Sequence, residues 1–268
     1  MPLVQFVTTM SLLSLLGCRF STTEVPGSLH DVVVSIDIEQ RTERQPGDRD
    51  PYEFTHVTAV LADRTGAAIE KPDVQVTMNG KPLAFVVGTG NYYDRHPRYT
   101  LPKDETGALQ PNTAYEFAII WIDGTTHLAG QVRTPAALTL SQVTVPDTHR
   151  SGTPLEIGWR NVTEPYELVA FHGFEYPDAA GNLVQESGSV NAGDVVRKAI
   201  GAPASASGRL TVPASYFAPD GTKRVASFGV EITRAAETPV PGPFASGSRI
   251  RATRTVAFRA EVVPSGRQ

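Results

Sequence analysis

The sequence predicts an all-β protein built from two tandem β-sandwiches. Three observations point there. Short apolar runs with alternating or β-branched residues recur along the body, each bounded by Gly, Pro, Asn or Asp. The 268 residues include 23 Gly and 21 Pro scattered through the chain, as many short strands joined by turns require. No stretch carries a convincing helical period of apolar residues.

In the first half the runs are Val32–Ile38, Phe54–Ala62, Val74–Met78, Leu83–Val87, Arg98–Leu101, Tyr115–Ile122 and Thr126–Thr134. Asn79-Gly80 falls between two of them and supplies the positive φ angles of a two-residue hairpin turn. Asp123-Gly124 is read the same way between Ile122 and Thr126. The second half offers Thr139–Val145, Leu155–Arg160, Glu167–Tyr176, Leu183–Ser187, Gly208–Val212, Val225–Arg234 and Arg249–Val262. Leu155, Ile157 and Trp159 alternate onto one face, which makes Trp159 a structural, inward residue. Phe228, Val230 and Ile232 alternate likewise. Thr134-Pro135 to Leu138 marks the boundary, so one sandwich is expected over 30–135, a second over 136–263, and a tail over 264–268. Glu39 to Glu53 mixes charge signs and reads as a solvated loop.

Leu109-Gln110-Pro111-Asn112-Thr113-Ala114-Tyr115 resembles the L-x-P-x-T-x-Y pattern of fibronectin type III domains. The resemblance implies that Tyr115 opens a strand and ties its hydroxyl back to the preceding corner. A tyrosine suits that place because its ring fills the core while its OH satisfies corner backbone groups. Leu155–Trp159 is similar to the second strand of such a domain, which often carries an inward Trp. The second half has no such corner and looks like a looser fibronectin- or immunoglobulin-like relative. None of this speaks to activity.

Leu15-Leu16-Gly17-Cys18 ends an uncharged apolar run and holds the single Cys of the chain. The run from Leu3 to Leu16 suits a secretory signal, whose apolar segment spans roughly 7–15 residues. It is too short for a spanning helix of about 20 residues. The run resembles a bacterial lipobox, although no Lys or Arg precedes it. The resemblance implies a signal peptide over 1–17, acylation of Cys18 with palmitate among its chains, and a lipidated tether over 18–29. In lipoproteins of that kind an Asp after the Cys retains the protein at the inner membrane. Arg19 therefore implies the outer membrane of a Gram-negative bacterium. Arg19 to Ser28, with Pro26 and Gly27, has the composition of a tether. The alternative is a Cys buried in a first strand.

The formal net charge of −4 offers no basic surface for nucleic acid. Neither G-x-S-x-G nor S-x-x-K occurs. Gly88-Thr89-Gly90-Asn91-Tyr92-Tyr93 begins like a dinucleotide loop but ends in Tyr, with no helical pattern after it. The six His residues stand singly, so no metal or cofactor is expected. Asp48 to Glu53 lacks the glycine of a calcium loop. With 28 acidic residues, a facing carboxylate pair for glycoside hydrolysis stays open as the enzyme alternative.

Surface loops are then the main asset. Gly90–Tyr99 gathers Tyr92, Tyr93, Arg95, His96, Arg98 and Tyr99, residue types that anchor interfaces. Ala235–Ser248 is a proline-bearing connection carrying Phe244. It is read as a recognition loop or as a flap against the other domain. Phe171–Tyr176 is read as a domain contact or a ligand site. The chain is expected to bind or scaffold without catalysis, with a protein or glycan partner. The alternatives are an accessory module for polysaccharide capture or processing, a hydrolase of unrecognised type, and an export or assembly subunit.

Overall fold

The computed structural model describes residues 22–23, 26–70, 73–87, 97–102, 109–162, 166–189, 206–218 and 221–264. These residues are all-β, with strands and single turns of 3-10 helix. In the first half the strands are β1 (Thr22–Thr23), β2 (Val32–Arg44), β3 (Tyr52–Asp63), β4 (Ala68–Ile69) and β5 (Gln75–Met78). They continue as β6 (Lys81–Pro82), β7 (Ala84–Val86), β8 (Arg98–Thr100), β9 (Ala114–Ile120) and β10 (Thr126–Arg133). The second half holds β11 (Val143–Thr144), β12 (Thr148–Arg150), β13 (Leu155–Trp159), β14 (Glu167–Pro177) and β15 (Leu183–Ser189). It ends with β16 (Gly208–Val212), β17 (Arg224–Pro239) and β18 (Arg249–Val263).

One large sheet runs β1-β4-β3-β2-β18-β17-β14-β15, with β8 on β3, β7 on β8 and β12 on β18. Two smaller sheets, β10-β9-β5-β6 and β11-β13-β16, complete the architecture. The first joins a core that includes Val34, Ile36, Val57, Phe117, Ile119 and Val132. The second joins a core that includes Leu155, Ile157, Trp159, Phe228, Val230 and Ile232. Leu155, Ile157, Phe228, Val230 and Ile232 are each at most 2% exposed, so the alternation read from the sequence aims them correctly.

The cores do not divide at the expected 135/136 boundary. Ala236, Val240, Phe244, Ile250 and Ala252 pack into the first core. Val256, Phe258 and Val262, a few residues later on the same strand, pack into the second. The hairpin of β17 and β18 therefore passes through both. β18 is its spine. One edge pairs with β17 from Arg249 to Glu261. The other edge pairs in parallel with β2 from Arg249 to Phe258. It then takes up β12 from Glu261 to Val263. Where β2 ends and β12 begins, Arg44 grips both carboxylate oxygens of Asp147 at 2.7 and 2.6 Å.

Two expected loops become strand. The mixed-charge stretch from Glu39 continues β2 to Arg44, leaving only residues 45–51 as the turn into β3. Its charges are not simply solvated. Arg41 pairs with Glu43 and Glu231, and Arg259 pairs with Glu43 at 3.0 Å. Glu231 and Arg259 lie on β17 and β18, which no reading of β2 alone could supply. The Ala235–Ser248 connection likewise begins as strand, because β17 runs to Pro239 opposite Arg249. Its prolines follow the ladder or terminate it.

Asn79 and Gly80 have φ of 49° and 76°, the left-handed pair expected of a two-residue hairpin turn. The Asp123-Gly124 turn is different. Only Gly124 has positive φ, at 80°, and the Trp121 N–H donates to Thr125 O at 2.9 Å. That is a three-residue loop, whose left-handed third position the glycine fills.

Candidate functional site

Three neighbouring strands of the large sheet interrupt their inward apolar face at the same level. On β2, Val32, Val34, Ile36 and Ile38 give way to Gln40. On β18, Ile250 and Ala252 are followed by Arg254 before Val256 and Phe258. On β17, Phe228, Val230 and Ile232 are followed by Arg234 before Ala236. The register sets Gln40 against Arg254 and Arg254 against Arg234. The result is a polar row across the sheet, between the two cores.

Each member of the row is tied down. Arg254 Nη2 donates to Gln40 Oε1 at 2.6 Å, and Gln40 Nε2 donates to Leu109 O at 3.1 Å. Arg234 is 2% exposed and donates through Nη1 to Ala136 O and Ala137 O at 3.1 and 3.0 Å. It thus holds the segment that links the two halves of the chain. Burial, and then the Arg234 charge, push Arg254 below the ordinary guanidinium value, while Glu53 and Tyr115 pull the other way.

Beside the row lies a polar cleft of about 230 Å³ lined by Gln40, Arg41, Thr42, Glu53, Phe54, Thr55, Leu109, Pro111 and Arg254. Its floor is strand register: Thr55 opposes Gln40 and Glu53 opposes Thr42. Its wall is the corner that precedes β9. The Gln110 N–H donates to the Tyr115 hydroxyl at 2.7 Å, as the corner motif implied. Thr134 Oγ1 donates to Gln110 O at 2.8 Å, and the Thr113 N–H donates to Thr134 Oγ1 at 3.0 Å. Removing the hydroxyl with Tyr115→Phe should destabilise the chain by about 0.5–1.5 kcal/mol, the net worth of one hydrogen bond. A urea midpoint equal to that of the parent protein would refute this role for Tyr115.

The outward face at the same level is also charged. Burial pushes the Glu43 carboxyl up, but the Arg259 and Arg41 hydrogen bonds and charges outweigh it and hold Glu43 below its ordinary value. A second cavity, about 290 Å³ and largely apolar, lies at the far end of the second core between Ser151, Ala218, Val225, Val262 and Pro264. Arg224 at its rim is engaged by Glu175 at 2.5 Å.

Of the binding residues expected from the sequence, the structure describes Arg98, Tyr99 and Phe244. Cys18, Tyr92, Tyr93, Arg95 and His96 lie outside the described residues. Arg98 is half-buried at the start of β8. Tyr99 is no surface anchor. It is 2% exposed, packs on Phe85 and donates its hydroxyl to Val74 O at 2.8 Å. Burial pushes its phenol pKa upward. Phe244 is also core, at 7% exposure, because its loop folds onto β2 as a flap. The Ala245 N–H donates to Val32 O at 2.8 Å, and the Val34 N–H donates to Ser248 Oγ at 3.0 Å. Trp159 faces the second core, meeting Tyr166 edge-on at 6.2 Å between centroids. The side chains of Phe171, His172 and Phe174 lie outside what the structure describes, while Tyr176 carries the Lys223 ammonium 4.5 Å above its ring. Among the described residues, no three His, Cys, Asp or Glu side chains are grouped to hold a metal.

No protein-family model and no curated protein matches the chain. Among solved structures it is similar to a yeast delta-COP-I mu-homology domain, at 11% identity over 89% of this chain and 100% of that one. The TM-score is 0.24, too loose a fit to say anything of what this chain binds.

Proposed function

We propose that this chain is a lipid-anchored protein of the bacterial envelope, placed at the outer membrane, with a non-catalytic binding or scaffolding role toward a protein or glycan. The observation that carries the reading is Leu15-Leu16-Gly17-Cys18, with the chain's single thiol at the acylation position and a polar, Pro- and Gly-bearing stretch after it. One acyl chain holds a membrane only marginally, and stable anchoring takes more than one. The triply acylated Cys of the lipoproteins it resembles meets that need. The tether can be short because the body behind it folds through its own apolar cores.

The test is Cys18→Ser in the full-length protein, followed by membrane fractionation. The variant should leave the membrane pellet while its far-UV circular dichroism stays that of the parent. Retention of the folded variant in the pellet would contradict the anchor.

A further inference from the structure

We infer that the polar cleft between the two cores is a binding site for a small oxyanion, a carboxylate or phosphate group, seated against Arg254. The inference adds a ligand chemistry to the body of the protein and does not depend on the membrane anchor.

Four observations converge on it. Arg254 is half-buried by its place on the inward face of β18, yet among the described residues no carboxylate forms an ion pair with it. Its Nε is buried without a hydrogen-bond partner. A buried donor without a partner is costly, and a buried charge more so. The residue directly opposite on β17 is a second arginine, Arg234, whose charge repels it across the ladder. Two cations side by side favour an anion between or beside them.

The space to receive one is present. The cleft of about 230 Å³ opens beside Arg254, and Thr42, Thr55 and Gln40 are among the residues that line it. At ~30 Å³ for each water it would otherwise hold, this suits a hydrated phosphate or a compact carboxylate. The other guanidinium of the lining, Arg41, is already engaged by Glu43 and Glu231. A flat guanidinium edge matches carboxylate and phosphate oxygens better than a point charge does. Glu53 shares the lining and opposes the anion. It makes the site selective for a ligand that keeps its negative charge on the Arg254 side.

The test is equilibrium dialysis of the purified full-length chain in detergent with labelled inorganic phosphate and, separately, labelled citrate. Chloride is held constant. Saturable binding of one anion per chain is expected for at least one probe, with Kd below about 1 mM. Whichever probe binds names the group, phosphate or carboxylate. Arg254→Met should weaken binding at least tenfold. Glu53→Gln should tighten it at least threefold, since it removes the opposing charge and keeps the shape. Absence of saturable binding for both probes, or Arg254→Met binding as the parent does, would overturn the site. Should Arg254→Met fail to fold, Glu53→Gln decides, and an unchanged affinity overturns it.

Discussion

Replacing Phe244 by alanine should cost the protein about 3–5 kcal/mol, the range found when a buried aromatic is truncated in a core. The ring is 7% exposed and belongs to the first core with Val32, Val34 and Ile250. It meets the His127 ring edge-on at 6.3 Å between centroids. The flap that carries it has little freedom to refill the space. The Val240 N–H donates to Ser248 O at 3.0 Å, which closes the loop on itself. Ser248 Oγ donates to Ala245 O at 2.7 Å and accepts from the Val34 N–H, which fixes the loop on β2. Urea denaturation is the check. A cost under about 0.5 kcal/mol, typical of exposed positions, would return Phe244 to the surface.

Arg234→Ala should cost about 3 kcal/mol or more. A hydrogen bond from a charged donor is worth roughly 1.5–3 kcal/mol, and Arg234 donates to both Ala136 O and Ala137 O. Alanine leaves those carbonyls without their donor at a site where the arginine was 2% exposed. Relief of the repulsion with Arg254 returns part of the loss. Arg234→Met keeps most of the apolar stem and should cost less than alanine, because packing along the stem survives. Guanidinium chloride unfolding of both variants measures the difference. Equal stability of Arg234→Ala and the parent would mean that the linking segment is held by something else.

Much of the fold was legible because strand periodicity is local. The inward positions of β13 and β17 follow directly from Leu155-Ile157-Trp159 and Phe228-Val230-Ile232. Tyr115 was legible because its corner lies within seven residues. What escaped was non-local. β2 was expected to stop at Ile38, since the charges after it looked solvated, and their partners Glu231 and Arg259 are about two hundred residues away in the chain. β17 was expected to stop at Arg234, since prolines follow, and so the hairpin that unites the cores was cut in two.

The candidate site was lost by the same truncations. Gln40 lies just beyond the expected end of β2, and Arg234 is the expected last residue of β17. One signal was available in the sequence. Ile250-Ala252-Arg254-Val256-Phe258 places a cation in the middle of an inward face, and a long, otherwise apolar face rarely carries one without a task. Tyr99 was misplaced for the opposite reason. Tyr99 looks like a surface anchor by composition, but it alternates into β8, and its hydroxyl reaches a buried carbonyl on the segment before β5.

Through their shared hairpin, β17 and β18 make the two cores one cooperative body. The chain carries one tryptophan in each core, Trp121 in the first and Trp159 in the second. Single-tryptophan variants, Trp159→Phe and Trp121→Phe, give each core its own fluorescence reporter, and far-UV circular dichroism follows the whole sheet. In urea, the fluorescence and dichroism transitions of each variant should coincide in a single step, as two-state unfolding requires. A first-core fluorescence transition separated from the dichroism transition, or two steps in either variant, would show cores that unfold independently and would contradict the shared hairpin.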